Sequence, residues 1–213
     1  KERNPISKKN YAGGYLFCPK AGKMDYLFDL DLTSLYPSII MTINIGKETY
    51  IGRIIDADDR NNRLGYNDLK CMDYDDEMVV ENKKRQQTRV NIGRIVKMIE
   101  QNDLLISANG VMYSKDRESV LSTILKKWFD ERVIYKNKMK KAYKAGDKEL
   151  GAAMHMKQYT MKILLNSLYG ATALGSFRYG NVILSESITL SGQRIIQESA
   201  LAANREMNKE IKK

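Results

Sequence analysis

The chain has 213 residues, 43% of them hydrophobic, and its 36 Lys and Arg against 26 Asp and Glu give a formal net charge of +10. That length fits one or two domains with enough apolar content for a buried core, and the pI near 9.4 favours a polyanionic partner, nucleic acid before membrane. No run approaches the ~18 apolar residues of a membrane span, the basic start is unlike a signal peptide, and Cys18 and Cys71 are too few for a disulfide framework. No C-x-x-C pair suggests zinc, and a reducing, intracellular compartment is the simplest expectation.

Residues 1–27 begin polar and basic, then reach Tyr11-Ala12-Gly13-Gly14-Tyr15-Leu16-Phe17. Two glycines before an alternating apolar run predict a turn feeding a strand. Tyr26 to Leu32 is an apolar run broken only by acids, which predicts a buried strand. Asp29 and Asp31 lie two apart and so share a face of it. A carboxylate ending a buried strand is costly unless compensated, usually by a divalent cation. Pro37 cannot continue a ladder, so the strand should stop near Ser34 and turn, freeing successive N–H groups for an anion. Carboxylate, bare amides and then the Tyr36 ring would seat a metal-bound nucleoside triphosphate. A core strand ending in a capped turn with a solvated acid would use the same residues.

Residues 41–110 carry short apolar pieces among Asn, Asp and Gly, and 46–108 reads as an irregular insertion. Within it, Ile92, Ile95, Val96 and Ile99 share one face of a helix predicted over about 90–102. Met72-Asp73-Tyr74-Asp75-Asp76-Glu77 is predicted as a solvated acidic loop. Asn109-Gly110 followed by Val111-Met112-Tyr113 predicts a turn and a short strand.

Helical signal dominates afterwards. Ser119 or Ser122 could cap a helix with Leu121, Ile124, Leu125, Trp128 and Val133 on its apolar side, running to about Lys144. Ala145-Gly146-Asp147 combines a C-terminal Gly with an N-capping Asp, so a second helix follows and the pair forms an antiparallel hairpin. The hairpin is rich in Lys, and Arg132 and Lys136, four apart, share a face that suits phosphate, although a simply solvated basic face is the commoner meaning of such a run. On the second helix Gln158, Lys162, Asn166 and Tyr169 recur at spacings of four, four and three as one polar stripe ending at Gly170, opposite Met161, Ile163, Leu164, Leu165 and Leu168. Such a stripe suits a triphosphate, a sugar edge and a base face in succession, and Gly170 permits close approach. His155, the single histidine, reads as packing or surface, with no Ser-His-Asp or Cys-His arrangement around it. A loop over Ala171–Ser176 and a final helix from about Glu186 complete the pattern, with Ser191 and Gly192 predicting tight packing against a sheet.

Two stretches together resemble a known family. Asp31-Leu32-Thr33-Ser34-Leu35-Tyr36-Pro37-Ser38-Ile39-Ile40 resembles the first palm motif of family B DNA polymerases, and Lys162-Ile163-Leu164-Leu165-Asn166-Ser167-Leu168-Tyr169-Gly170 resembles their fingers motif K-x-x-x-N-S-x-Y-G. Tyr11 to Gly14 is similar to the Y-x-G-G segment that borders the template, and Ile188 to Arg194 is similar to the palm helix. The spacing is most like that of phage-type and viral replicative polymerases.

The resemblance implies addition of deoxynucleotides to a primer 3′ end, with two Mg²⁺ ions in the complete enzyme, dNTPs and primer–template DNA as partners, and no membrane. It implies Asp31 and the Leu32 backbone oxygen as metal ligands, and Asp31 and Lys162 as catalytic residues. Ser34, Leu35 and Tyr36 would offer N–H groups to the triphosphate, with Tyr36 excluding a ribose 2′-hydroxyl. Arg132, Lys136 and Lys162 would hold phosphates, Asn166 the triphosphate or the tyrosine, and Tyr169 with Gly170 the nascent base pair. Tyr11, Gly13, Gly14 and Tyr169 would touch DNA. Asp29 departs from the pattern and is a secondary metal candidate.

The family's third palm motif, Y-G-D-T-D-S, does not occur in these residues. The expectation is therefore a piece of a polymerase, or one half of a split enzyme, inactive until joined to its missing portion; a non-catalytic nucleic-acid-binding derivative is the alternative. The predicted fold is α+β, a partial palm with a projecting two-helix fingers hairpin. Its divisions are 1–117, the first part of the palm; 118–170, the fingers hairpin; and 171–213, the palm's C-terminal helix.

Overall fold

The structure, a computed structural model, describes residues 13–16, 21–23, 30–55 and 64–211. Among these the order is α1 (Leu35–Ile43), β1 (Tyr50–Ile54), α2 (Tyr66–Cys71), β2 (Glu77–Asn82), β3 (Gln87–Asn91), α3 (Ile92–Gln101), β4 (Leu105–Ile106), β5 (Val111–Tyr113), α4 (Val120–Lys144), α5 (Lys148–Thr172) and α6 (Val182–Ile211). The strands make one antiparallel sheet, β3-β2-β1-β5-β4. The class is α+β, as predicted.

Alternation along β5 divides the core in two, because successive strand side chains leave on opposite faces. Val111 and Tyr113 join Ile39, Ile40, Leu121, Leu125, Leu165, Leu168, Leu184 and Ile188. Met112 joins Ile54, Leu69, Ile92, Ile95, Val96 and Ile99. So α1, α4, α5 and α6 cover one face, and α2 and α3 the other. The predicted helix over 90–102 is α3, with its four expected residues buried.

The two long helices fold back on each other as predicted. Ser119 Oγ caps α4 through Ser122 N, Gly146 takes a left-handed φ of 82°, and Asp147 accepts from Leu150 N at 2.9 Å to start α5. Tyr143 meets Gly151 near the turn, and farther along Lys157 lies over the Tyr135 ring at 5.7 Å, which is antiparallel packing.

Several expectations need correction. The strand predicted at 26–32 is not seen where it can be checked: Leu30 to Leu32 have no strand pairing, and Leu30 is 72% exposed. Residues 24–29, Asp29 included, lie outside the described residues. Pro37 does not end the local order. It sits in the first turn of α1, where its missing N–H costs nothing. Gly13 to Leu16 form no strand, and Tyr11 and Phe17 are outside the described residues. Where it is described, region 46–108 is regular rather than irregular. Its β2–β3 turn was hidden because Arg85, not Gly, takes φ 60°, and Asn82 Oδ1 supplies the turn chemistry by accepting from Lys84 N at 2.8 Å and Gln86 N at 3.1 Å. Helix α5 runs on to Thr172 and α6 begins at Val182, both extending beyond the predicted bounds. Val133 and Ile163, expected on apolar faces, are exposed because the hairpin packs on its base and projects. Residues 73–77 are exposed, as a solvated acidic segment should be, but Met72 packs against the second core and Glu77 begins β2.

Asn44 joins the elements that carry the site. It closes α1 at φ 57°, is 8% exposed, and uses its whole carboxamide: Nδ2 donates to Ser114 O and Arg117 O, both at 2.8 Å, and Oδ1 accepts from Ser119 N at 2.8 Å. The end of α1, the end of β5 and the start of α4 are thereby tied together. On the other side, Arg194 of α6 reaches Asp68 of α2, which also accepts from Gly65 N at 2.6 Å. Partial burial raises the Asp68 pKa, but the Arg194 and Gly65 hydrogen bonds outweigh it and the net shift is downward.

Two outcomes follow. Asn44→Ala leaves three backbone groups without partners, at about 1–3 kcal/mol for each buried group, and should lower the urea midpoint by the equivalent of about 3 kcal/mol or more at unchanged m. The Asp68 pKa is lower folded than unfolded, so its stabilisation is complete above the ordinary aspartate value of 3.8 and fades as pH falls through the depressed folded value. Asp68→Asn should flatten that part of the stability–pH curve, read from thermal melts through the acid range.

Candidate functional site

The site is built at the start of α1. Ser34 precedes the helix in the left-handed region, φ 55°, and its hydroxyl does not cap the helix. Instead Ser34 Oγ accepts from Arg132 Nη1 of α4 at 3.3 Å. The N–H groups of Leu35 and Tyr36 have no carbonyl to bond within the helix, and Pro37 has no N–H at all. Arg132 Nε is buried and has no hydrogen-bond partner. Helix-terminal amides beside a half-buried guanidinium whose Nε is unused form an arrangement suited to an anion.

Tyr36 is the centre of the contacts. Its ring stacks on Tyr169 of α5, centroids 4.4 Å apart and planes at 28°. Tyr169 Oη and Thr189 Oγ1 are 2.7 Å apart, and since Thr189 donates to Ser185 O at 2.9 Å, Tyr169 is the donor between them. Gly192 lies under Tyr36: a Cβ there would sit 3.0 Å from the ring. A Cβ on Gly14 would be 3.5 Å from Tyr36 Oη, and Gln193 Nε2 donates to Gly13 O. Ser34, Tyr36, Arg132, Tyr169, Gly13 and Gly14, predicted from four separate stretches, thus meet.

Thr189, Gly192 and Gln193 were not on the predicted list. Their spacing of three and one puts them on one face of α6, and that face touches Tyr169, Tyr36 and Gly13 in turn. The available signal was T-x-x-G-Q inside a helix, where a mid-helix Gly marks close approach. Ser191, by contrast, faces the β4–β5 turn, accepting from Ala108 N at 3.1 Å, so this small pair packs against both α1 and the sheet region.

Asp31, Lys136, Lys162 and Asn166 are exposed, and among the described residues no hydrogen bond or ion pair holds their side chains. Gly170 is exposed, and Leu32 is 43% exposed. Lys162 and Asn166 lie on the α5 face that ends at Tyr169, with Lys162 roughly 10 Å up the helix axis at 1.5 Å per residue. Lys136 stands one turn beyond Arg132. Tyr11 lies outside the described residues. His155 is exposed and stacked on Tyr159, centroids 6.3 Å apart.

For divalent metal, the Asp31 carboxylate and Leu32 carbonyl are oxygen donors of the right kind. They are too few for a two-ion centre: among the described residues no three His, Cys, Asp or Glu side chains gather to hold a metal. No described helix is long and apolar enough to cross a membrane.

The family profile described as DNA polymerase family B matches residues 1–213. The chain is 28% identical to a DNA polymerase of Pyrococcus glycovorans over 190 residues, covering 89% of this chain and 18% of that protein. It is 30% identical to the DNA polymerase zeta catalytic subunit of Saccharomyces cerevisiae over 178 residues, 81% of this chain and 10% of the relative. The DNA-directed DNA polymerase of Enterobacteria phage T4 is 25% identical over 250 residues, 95% of this chain and 24% of the relative. In fold it is similar to the family B DNA polymerase from the hyperthermophilic archaeon Pyrobaculum calidifontis, with a TM-score of 0.57 at 18% identity, covering 96% of this chain and 21% of that one. The chain spans at most about a quarter of these proteins, and it belongs to DNA polymerase family B.

Proposed function

We propose that this chain is the palm-and-fingers segment of a template-directed DNA polymerase, binding a deoxynucleoside triphosphate with Mg²⁺ and primer–template DNA. The observation that supports it most is the Arg132–Ser34 contact at the α1 N-terminus, with Arg132 Nε buried and unpaired beside the stacked Tyr36 and Tyr169. An anion-seeking corner next to an aromatic platform is what a nucleotide needs: charge and amides for phosphate, ring faces for sugar and base. The divisions follow the sequence reading, 118–170 as fingers between two palm parts.

In this reading Arg132 clamps a phosphate oxygen that completes its hydrogen bonding, and the amides of Leu35 and Tyr36 orient the same group. Lys162 and Lys136 supply mobile positive charge from the hairpin, while Asn166 steadies the triphosphate or the tyrosine. Tyr36, backed by Gly192, gives the sugar a rigid wall. Tyr169, held by Thr189, and Gly170 line the base pair, and Gly13 and Gly14 border the template. Mg²⁺, when bound, neutralises phosphate charge, and Asp31 with the Leu32 carbonyl contributes oxygens to its coordination. The remaining carboxylate belongs to the Y-G-D-T-D-S motif that these residues lack, so the isolated chain is proposed to bind nucleotide without extending a primer.

Titration of a fluorescent dNTP tests the reading. Binding should require Mg²⁺ and weaken at least tenfold, about 1.4 kcal/mol, in each of Asp31→Ala, Lys162→Ala and Arg132→Ala. DNA binding that is indifferent to all three changes, with no metal-dependent nucleotide affinity, would point instead to a non-catalytic binding module. Tyr36→Ala should bring ribo- and deoxyribonucleotide affinities closer together. Robust primer extension by the purified chain would refute the proposed inactivity.

A further inference from the structure

We propose that the tip of the β2–β3 hairpin is a second nucleic-acid contact, gripping the sugar–phosphate backbone away from the Tyr36 site. This rests on the reading of the chain as a DNA-handling polymerase segment. Residues 82–89, Asn-Lys-Lys-Arg-Gln-Gln-Thr-Arg, are all exposed and contain no acid and no apolar side chain. Among the described residues no ion pair engages Lys83, Lys84, Arg85 or Arg89. The neighbouring acid Glu81 is already paired with Arg53 at 3.5 Å.

The tip is also preorganised. Asn82 Oδ1 accepts from Lys84 N and Gln86 N, its Nδ2 donates to Gln86 Oε1 at 3.0 Å, and Arg85 N donates to Asn82 O at 2.9 Å. Arg85 holds φ 60° within this frame. A merely solvated charge run has no need of such order, whereas a fixed turn reduces the ordering cost when its cations are engaged. Gln86, Gln87 and Thr88 add neutral donors of the kind that meet phosphate oxygens.

Neighbouring cations extend the surface. The register brings the end of β2, the start of β1 and the end of β5 to one end of the sheet, with Gly52 opposite Asn82 and Tyr50 opposite Tyr113. The Arg85 charge is felt at Tyr50, whose hydroxyl burial and Glu81 push up while Arg53 and Arg85 pull back. At that end Lys47 Nζ donates to Arg178 O and Arg117 Nη2 to Glu48 O, both at 2.9 Å, which leaves their charges unneutralised. Of the acids there, Glu118 pairs with Lys126, while Glu48, which caps Val120 N and keeps its charge, and Asp116 oppose the group. Without an apolar anchor in 82–89, the tip lacks the buried centre of a protein interface; a polyanion needs none, because counterion release supplies the affinity.

The experiment compares the wild-type chain with Lys83→Ala/Lys84→Ala/Arg85→Gly, glycine being chosen for the positive φ, and with Lys83→Glu/Lys84→Glu, which leaves the Arg85 turn intact. Anisotropy of a labelled single strand and of a labelled duplex is followed from about 50 to 200 mM salt; log affinity falls by about 0.7–0.9 per phosphate contact for each tenfold rise in salt. Both variants should keep the wild-type melting curve and fluorescent dNTP affinity. The first should bind DNA about tenfold or more weakly at the low-salt end, with a salt slope shallower by about 2. The strand type showing the larger loss identifies what the tip grips. Unchanged affinity and slope on both DNAs would overturn the proposal while leaving the polymerase reading in place. Equal competition by poly-glutamate would overturn it in favour of an acidic protein partner. A wild-type chain that binds neither DNA nor dNTP would sink both.

Discussion

The three hydrogen bonds of the Asn44 carboxamide are the constraint on which the rest of the structure depends. They join the residue that caps the end of α1 to the chain leaving β5 and to the start of α4. Ser119 Oγ reinforces the joint by donating to Ile45 O at 3.0 Å, and Ser122 Oγ by donating to Ile40 O at 3.1 Å. Helix α1 carries Ser34 and Tyr36 at one end and Asn44 at the other, and α4 carries Arg132. With their junction fixed, the Ser34–Arg132 contact lies within reach rather than being left to the flexibility of two long helices. Asn is the residue for this position because it tolerates the left-handed conformation and offers two donors and an acceptor from one small group.

Helix α6 performs the complementary task from below. It is polar where a core helix is usually apolar: Ser185, Ser187, Thr189, Ser191 and Gln193 are all buried. Ser187 and Thr189 each return a hydrogen bond to the carbonyl four residues back, which leaves lone pairs for partners on other elements. Ser187 accepts from Tyr113 of β5 at 2.8 Å, and Thr189 accepts from Tyr169 of α5. Ser107 donates to Asn109 Oδ1 at 2.7 Å and Ser187 Oγ lies 2.9 Å from the same oxygen, so the sheet is fastened to the same helix that fastens the stacked tyrosines. Small side chains also let α1 approach closely enough for Gly192 to meet Tyr36. Directional bonds rather than bulk hold the two aromatic rings in one orientation.

The second apolar cluster gives 46–108 a core of its own on the far face of the sheet. That independence explains how a hairpin as polar as 82–89 can be displayed rigidly: Met78, Val80 and Val90 pack against α3 while the tip stays in water. In the proposed reading the chain separates two jobs, a nucleotide corner on one side of the sheet and a basic projection supported from the other. The Arg194–Asp68 pair and the β4–β5 turn link α6 across to that second layer.

The amino-acid order alone determined the long-range plan. Heptad-like apolar spacing marked α3 and α4, Gly146-Asp147 marked the break between α4 and α5, and two motifs marked the family, because helix faces, caps and motif spacing are local properties written in consecutive residues. It also placed Ser34, Tyr36, Arg132 and Tyr169 on the candidate list. The order did not reveal the β2–β3 hairpin, whose turn relies on an Asn side chain and a left-handed Arg instead of glycine. It marked Gly192 for close packing but not the ring opposite it, and it did not single out Thr189 or Gln193, which matter only through what stands opposite them. Tertiary structure decided those, together with the stack of Tyr36 on Tyr169 and the unpaired Arg132 Nε. Contacts between residues more than a hundred positions apart depend on how two cores close around one sheet, and no local period encodes that closure.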